Sequence, residues 1–166
     1  MRQSSLALLA TGLLFVASQA SAELPSADKS FAMKAAQGGL AEVQDGQLAA
    51  RKGGSPQVKQ FGQRMVTDHT QANDELQQIA QQENLTLPTK PGTTQLAENR
   101  RLSGLTGGAF DSEYASYETR DHQQDVAEFR REAQSGKHPA LKAFAQKYLP
   151  ILRQHLQMAQ ALSTPR

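Results

Sequence analysis

Apolar residues recur every three or four positions through four long segments of the chain, which is the spacing of one buried face of an α-helix. These segments are rich in Ala, Gln, Leu, Glu and Lys and poor in β-branched residues, a composition that favours helices. Glycine and proline separate the segments from one another. The pattern therefore predicts helices over about residues 27–52, 56–83, 109–135 and 139–162.

Two of the breaks between these segments are short and carry the same turn signals. Gly53-Gly54-Ser55-Pro56 combines a helix stop, a capping serine and a proline at the first helical position. Residues 136–139 repeat this arrangement, and His138 takes the place of Ser55 as a capping or turn residue. Each break therefore predicts a tight hairpin between two antiparallel helices.

The two hairpins are copies of one another. Residues 28–64 recur at residues 111–147 without a gap, at a constant offset of 83. Nine of the 37 positions are identical, whereas average residue usage would give roughly two or three by chance. An internal repeat constrains the fold strongly. The identical pairs are Asp28/Asp111, Ala32/Ala115, Val43/Val126, Ala50/Ala133, Gly53/Gly136, Pro56/Pro139, Lys59/Lys142, Phe61/Phe144 and Gln63/Gln146.

The connection between the two hairpins is much longer than either turn. It covers residues 84–108, where Pro88, Pro91 and Gly92 favour irregular structure before a possible short helix over residues 94–103. A connection of this length can return along a helix of about 35–40 Å. Two hairpins joined by one long crossover predict an all-α, ferritin-like four-helix bundle.

The start of the chain has the features of a secretory signal peptide over residues 1–22. Arg2 precedes an apolar stretch at residues 6–16, and residues 20–22 form an A-x-A cleavage site. The stretch is too short to remain as a membrane span. We therefore expect cleavage, a single mature domain over residues 23–166 and no membrane span. The absence of cysteine suits the oxidising periplasm, where we expect the protein to reside.

Charge and motifs exclude several classes of function. The formal net charge is only +2, whereas nucleic-acid binding needs a concentrated basic face. The chain has no Gly-rich phosphate loop and no nucleophile elbow. The sequence therefore argues against a nucleic-acid partner and favours a non-catalytic protein over an enzyme. It names no protein partner, and a homo-oligomer is compatible with it.

Ionisable residues interrupt the apolar face of every helix at a similar distance from the hairpin turns. Projection at 100° per residue places one or more of them on each inward stripe. Glu42 and Asp125 occupy matching positions of the repeat, whereas the histidines have no His counterparts. Such a shared direction and depth predicts one cluster in the core, formed by Glu42, His69, His122, Asp125 and His155.

Two interpretations of this cluster remain open. In the first, the five residues bind a divalent or transition metal ion such as iron, zinc, manganese or copper, and Asp68 and Glu118 orient the ligands. In the second, histidines and carboxylates form a closed ion-pair network without metal, in an envelope or stress protein. A redox enzyme using Tyr114 or Tyr148 would also need an electron donor, which the sequence does not indicate.

Several segments resemble one known family along nearly the whole mature chain. They are Ala35 to Val43, Met65 to His69, Phe110-Asp111 with Tyr114, Asp121 to Val126, and Leu141 to Ala145 followed by His155-Leu156. Together they resemble the exported bacterial domain-of-unknown-function family 4142. The resemblance implies a periplasmic ferritin-like bundle, makes metal binding plausible and implies no established activity. The second and fourth helices lack Glu-x-x-His, which argues against di-iron oxidase or iron-storage chemistry.

Overall fold

The computed structural model describes residues 24–163, and the predicted signal peptide lies outside this range. The described part of the chain forms five helices and no named strand. Each of the four long helices begins and ends within two residues of its predicted bounds, and the short helix of the crossover also forms. The all-α prediction is thus confirmed. The helices are α1 (Ser26–Lys52), α2 (Pro56–Gln82), α3 (Thr93–Ser103), α4 (Gly107–Ser135) and α5 (Pro139–Leu162).

The helices pack as two hairpins with a crossover between them. α1 packs on α2 and α4 packs on α5, while α1 also contacts α4 and α2 contacts α5. Gly53, after α1, lies beside Gly107 at the start of α4, so α4 begins at the end of the bundle where α1 stops. Each of the four long helices is therefore antiparallel to the two long helices that it contacts. α3 lies against α1 and α4 and covers the boundary between the two hairpins. None of the helices in the described range is long and apolar enough to cross a membrane.

Each hairpin turn is held by a carboxylate of the other hairpin. The oxygens of Asp111, in α4, accept hydrogen bonds from the backbone N–H groups of Gly54 and Ser55 at 2.7 and 2.8 Å. Asp28, in α1, accepts equivalent bonds from Lys137 and His138 at 3.0 and 2.5 Å. Asp28 and Asp111 are repeat mates, so these reciprocal turn bonds are one contact made twice. Hydrogen bonds to a charged group are each worth about 1.5–3 kcal/mol.

Both turns also start their following helices as the sequence indicates. The Ser55 hydroxyl accepts a hydrogen bond from the Val58 N–H at 3.3 Å, which caps α2. At the matching position, Nδ1 of His138 accepts from the Leu141 N–H at 3.4 Å and caps α5. The prediction that His138 is a capping residue is confirmed, and this histidine belongs to the surface end of the bundle.

The first hairpin has a close approach between its helices that the second cannot copy. A Cβ on Gly46 would lie 2.7 Å from the carbonyl oxygen of Gly62, and a Cβ on Gly62 would lie 2.6 Å from that of Gly46. Their repeat mates are Phe129 and Ala145, which carry side chains. The two hairpins therefore share a topology, but the second has side chains at the positions where α1 and α2 approach most closely in the first.

Two hydrophobic clusters fill the bundle, one toward each end, and every long helix passes from one cluster to the other. The first includes Phe31, Leu76, Phe129 and Phe144. The second includes Leu48, Phe61, Met65, Phe110 and Tyr114. Buried ionisable side chains lie where each helix changes cluster. We call these residues the polar layer, formed by Glu42, Asp45, His69, Glu118, His122 and His155.

Candidate metal centre

Three histidines from three different helices meet in the polar layer. His69 of α2, His122 of α4 and His155 of α5 have ring centroids 5.4–5.8 Å apart. One ring nitrogen from each lies within 4.8 Å of the others. His69 is 6% exposed, and the other two are completely buried. The sequence places each histidine on an inward stripe, and the bundle brings all three to one point.

The surroundings of two rings determine which nitrogen can bind an ion. Nε2 of His155 lies 2.8 Å from Asp68, whose carboxylate also accepts a 2.5 Å bond from Arg64. Nδ1 of His122 lies 3.1 Å from the backbone oxygen of Glu118 and 3.4 Å from its carboxylate. The opposite nitrogens, Nδ1 of His155 and Nε2 of His122, are buried without a hydrogen-bond partner, as is Nε2 of His69. Asp68 and Glu118 therefore lie where they can orient the two rings.

Burial and mutual repulsion favour neutral imidazoles at two of these positions. Burial, reinforced by His122, lowers the pKa of His69 well below its usual value and that of His155 to about 4. Burial also acts to lower the pKa of His122, but Glu118 and neighbouring aspartates outweigh it and raise that pKa. Only a neutral imidazole has a lone pair for a metal ion. His69 and His155 are therefore already neutral at neutral pH, and they can bind a metal ion without first losing a proton.

Carboxylates lie on the α1 side of the same layer. Glu42 is completely buried, and neither of its oxygens has a hydrogen-bond partner among the described residues. Glu42, Asp121 and His122 bring one possible ligand atom each within 4.8 Å of one another. Burial, followed by repulsion from Glu118 and Asp121, raises the pKa of Glu42 well above its usual value. A nearby cation would reverse that effect and favour the ionised carboxylate.

Asp125, the repeat mate of Glu42, occupies a different position. It is only half-buried and belongs to neither of the two possible metal-binding groups found within residues 24–163. Burial and repulsion from Asp121 raise its pKa to about 7. Asp125 instead lines a small cavity together with His69, His155 and Asp68. The five residues predicted as metal ligands therefore do not form one group. Asp125 lies beside His69 and His155 and apart from Glu42.

That cavity adjoins the histidine group. Its volume is about 20 Å³, and aromatic residues such as Phe144 and Tyr148 form part of its wall. A space of about 10–15 Å³ can hold one water molecule. The cavity thus has room for one small ligand beside His69 and His155, and metal sites with three protein ligands commonly keep one such open position.

Asp45 of the polar layer and the neighbouring Asp121 were not predicted as site residues. Asp121 belongs to the Glu42 group, and Asp45 is completely buried and accepts a 2.6 Å hydrogen bond from Asn99 of α3. On α1 the apolar residues Val43 and Ala50 are only half-buried. The buried face of the helix instead includes Asp45, because α3 also packs on α1. Asp45 follows Glu42 by three residues, so the two side chains lie on one face of the helix. This spacing is the feature of the sequence that could have indicated Asp45 as a site residue.

The replacement Asp45→Asn is expected to stabilise the metal-free protein by about 1–3 kcal/mol at pH 8 and by little at pH 5. Burial, partly opposed by the bond from Asn99, raises the pKa of Asp45 to about 7, compared with about 4 in an unfolded chain. The folded state therefore binds this proton more tightly. The stability that this bound proton contributes is fully present below about pH 4, and it is lost as the pH rises through about 7.

Urea unfolding in EDTA at both pH values measures this effect. Asp74→Asn, at an exposed position of α2, is the control and should change stability little at either pH. An equal stability change for Asp45→Asn at pH 5 and pH 8 would contradict the expected titration.

Comparison with known proteins identifies a family and a fold. The profile of the family described as "Domain of unknown function (DUF4142)" matches residues 15–162. The crystal structure of a DUF305 fragment from Deinococcus radiodurans is similar, with a TM-score of 0.74 and 12% sequence identity. The similarity covers 86% of this chain and 98% of that one. Because the sequence identity is only 12%, this similarity shows that the two chains share a helical fold and nothing more. Among curated proteins, none gives a significant match.

Proposed function

Because the chain belongs to the DUF4142 family, a domain of unknown function, its role has to be inferred from its own residues, and we propose that it is an exported protein that binds a transition metal ion in its core. His69, His122 and His155 are the proposed ligands. Export is supported by the signal-peptide features of residues 1–22. The protein acts in this proposal as a binding protein of the periplasm.

The observation that carries the proposal is the set of ring nitrogens without partners. Buried polar atoms in folded proteins nearly always have hydrogen-bond partners. His69, His122 and His155 each have one buried nitrogen that lacks one, and the three rings face each other within a single layer. Leaving such atoms unpaired costs about 1–3 kcal/mol each, whereas one metal ion could satisfy all three.

The ligand types narrow the choice of ion. Neutral imidazoles suit zinc, copper and iron, whereas manganese prefers oxygen ligands. Asp68 and Glu118 contact the far nitrogens of His155 and His122, as carboxylates and carbonyls commonly do around metal-binding histidines. Zinc, copper or iron is therefore the ion that we propose for the three histidines. When bound, it would retain one position for water or another small ligand.

A metal-free polar network is the alternative, and the chain of contacts from His155 through Asp68 to Arg64 favours it. Such a network stabilises a core only if its members are satisfied. The carboxylate of Glu118 approaches Nδ1 of His122 at 3.4 Å, but both oxygens of Glu42 and one nitrogen of each histidine lack hydrogen-bond partners among the described residues. The layer therefore resembles an incomplete binding site more closely than a closed network.

Cobalt(II), a spectroscopic substitute for zinc, tests the proposal directly. The protein is released from the periplasm, where we expect Glu23 as its first residue, and freed of metal with EDTA. We expect one equivalent of Co²⁺ to produce intense visible absorption bands, and zinc to displace it. His122→Gln and His155→Gln should each weaken binding more than about 100-fold, because each removes a direct ligand.

The fourth histidine offers a matched control. His138→Asn retains a capping side chain at the surface end of α5 and should bind Co²⁺ like the unchanged protein. Circular dichroism verifies that each variant is folded. The metal-free network is supported if the folded, unchanged protein binds no Co²⁺, or if His122→Gln binds it equally well.

A further inference from the structure

Asp121 connects the buried polar layer with the surface. It is half-buried on α4 and lines a groove of about 370 Å³ between α3 and α4, together with Thr94, Gln95 and Glu98. On its other side, it approaches Glu42 and His122 within the 4.8 Å spacing of a possible metal site. The three proposed histidine ligands are 0–6% exposed. An ion that reaches them has to pass other side chains, and Asp121 is a side chain that lines this groove and also lies near His122.

Glu42 provides an independent indication that this group faces a ligand. Its side chain is 0% exposed, and both carboxylate oxygens lack partners among the residues described. A carboxylate in this position is costly unless a proton, a donor or a cation accompanies it. Two carboxylates and one imidazole form a harder ligand set than three imidazoles, and divalent cations readily bind such oxygen ligands.

His122 belongs to both groups but can bind only one ion at a time. Its Nδ1 lies 3.1 Å from the backbone oxygen of Glu118, a geometry in which Nδ1–H donates to the carbonyl. The lone pair of the neutral ring is then on Nε2, the nitrogen without a partner. The oxygen-rich group and the histidine group consequently compete for this one nitrogen. They are alternative positions of a single ion along one path.

We propose that Glu42, Asp121 and His122 form a second, oxygen-rich cation site, through which a divalent ion passes from the groove between α3 and α4 to the three histidines. This inference rests on the proposed function. Asp121 first takes the ion from the groove, and the buried Glu42 and His122 complete the site. His122 then remains a ligand while His69 and His155 replace the two carboxylates. No covalent or redox step is involved.

The double variant His69→Gln/His155→Gln tests whether the oxygen-rich site exists. It removes two of the histidines and leaves Glu42, Asp121 and His122 unchanged. We expect residual Co²⁺ binding at least about 100-fold weaker than in the unchanged protein, with the weak absorption bands of an oxygen-rich site. Adding Asp121→Asn should abolish this residual binding. Residual binding that is insensitive to Asp121→Asn would overturn the second site, as would no residual binding at all.

Stopped-flow uptake of Co²⁺ tests the route in the protein with all its histidines. Asp121→Asn should slow uptake about tenfold, the scale on which local charge changes association rates, while the equilibrium Kd changes less than threefold. Asp74→Asn removes the same charge from an exposed position of α2 and should leave the rate unchanged. A normal uptake rate in Asp121→Asn, or a loss of affinity without slower uptake, would overturn the route.

The two proposals fail in different ways. If the unchanged protein binds no Co²⁺, or if binding does not depend on His122 and His155, the proposed function itself is wrong. If binding requires the histidines and Asp121→Asn affects neither uptake nor residual binding, only the access route is wrong.

Discussion

Saturating zinc is expected to raise the melting temperature of the metal-free protein by about 5–10 °C, and His122→Gln is expected to abolish this rise. A ligand at 100 times its Kd stabilises the folded state by about 2.7 kcal/mol. For a domain of this size each kcal/mol corresponds to roughly 2–4 °C. The stabilisation depends on His122 because this residue belongs to both groups of possible metal ligands.

Differential scanning calorimetry, with and without zinc, measures this effect. His138→Asn should show the full rise, since His138 lies at the hairpin turn and caps α5. The expectation fails if zinc leaves the unchanged protein at its metal-free melting temperature. It also fails if His122→Gln shows the same rise as the unchanged protein, which would place the ion elsewhere.

The replacement Gly46→Ala is expected to destabilise the protein by about 2–3 kcal/mol, the upper part of the usual range for overpacked cores. The added Cβ would lie 2.7 Å from the Gly62 carbonyl oxygen and 3.1 Å from side-chain atoms of Met65 and Val66. Because the nearest atom belongs to the backbone, no side-chain rotation can relieve the contact. α1 and α2 would have to move apart, and Glu42 and His69 would move with them.

Gly38→Ala is the matched control, because it makes the same change in the same helix. A Cβ at Gly38 meets nothing within 4 Å. We expect this variant to be more stable than the unchanged protein by about 0.5–1 kcal/mol, the ordinary advantage of Ala over Gly inside a helix. Urea unfolding of both variants measures the difference. Equal stability of Gly38→Ala and Gly46→Ala would show that the helices separate at no cost.

The helices and hairpins could be predicted from the sequence because their signals are local. Apolar periodicity, the Gly-Ser-Pro turn and its copy at Gly136 are each contained within a few residues. The repeat extends this information to the whole bundle, since the second hairpin has to present the same faces as the first. The common depth of His69, His122 and His155 follows from counting residues away from the two turns.

The composition of the site could be predicted only in part, because it depends on contacts that are distant in sequence. Asp45 is buried by Asn99 of α3, and the crossover carries no periodic pattern that fixes its path. Glu42 and Asp125 are equivalent in the repeat, yet only Glu42 is fully buried. The close contact of Gly46 with Gly62 uses positions that hold Phe129 and Ala145 in the second hairpin, so the repeat does not give the two hairpins identical packing.

The reciprocal turn bonds of Asp28 and Asp111 have a consequence for how the two halves recognise each other. Each hairpin carries both the carboxylate and the turn that receives one, so a hairpin is complementary to a copy of itself. In one chain the crossover keeps the two halves at a high effective concentration. Two chains that exchanged hairpins would retain the same four hydrogen bonds, because the bonds join surfaces that do not depend on which chain supplies them.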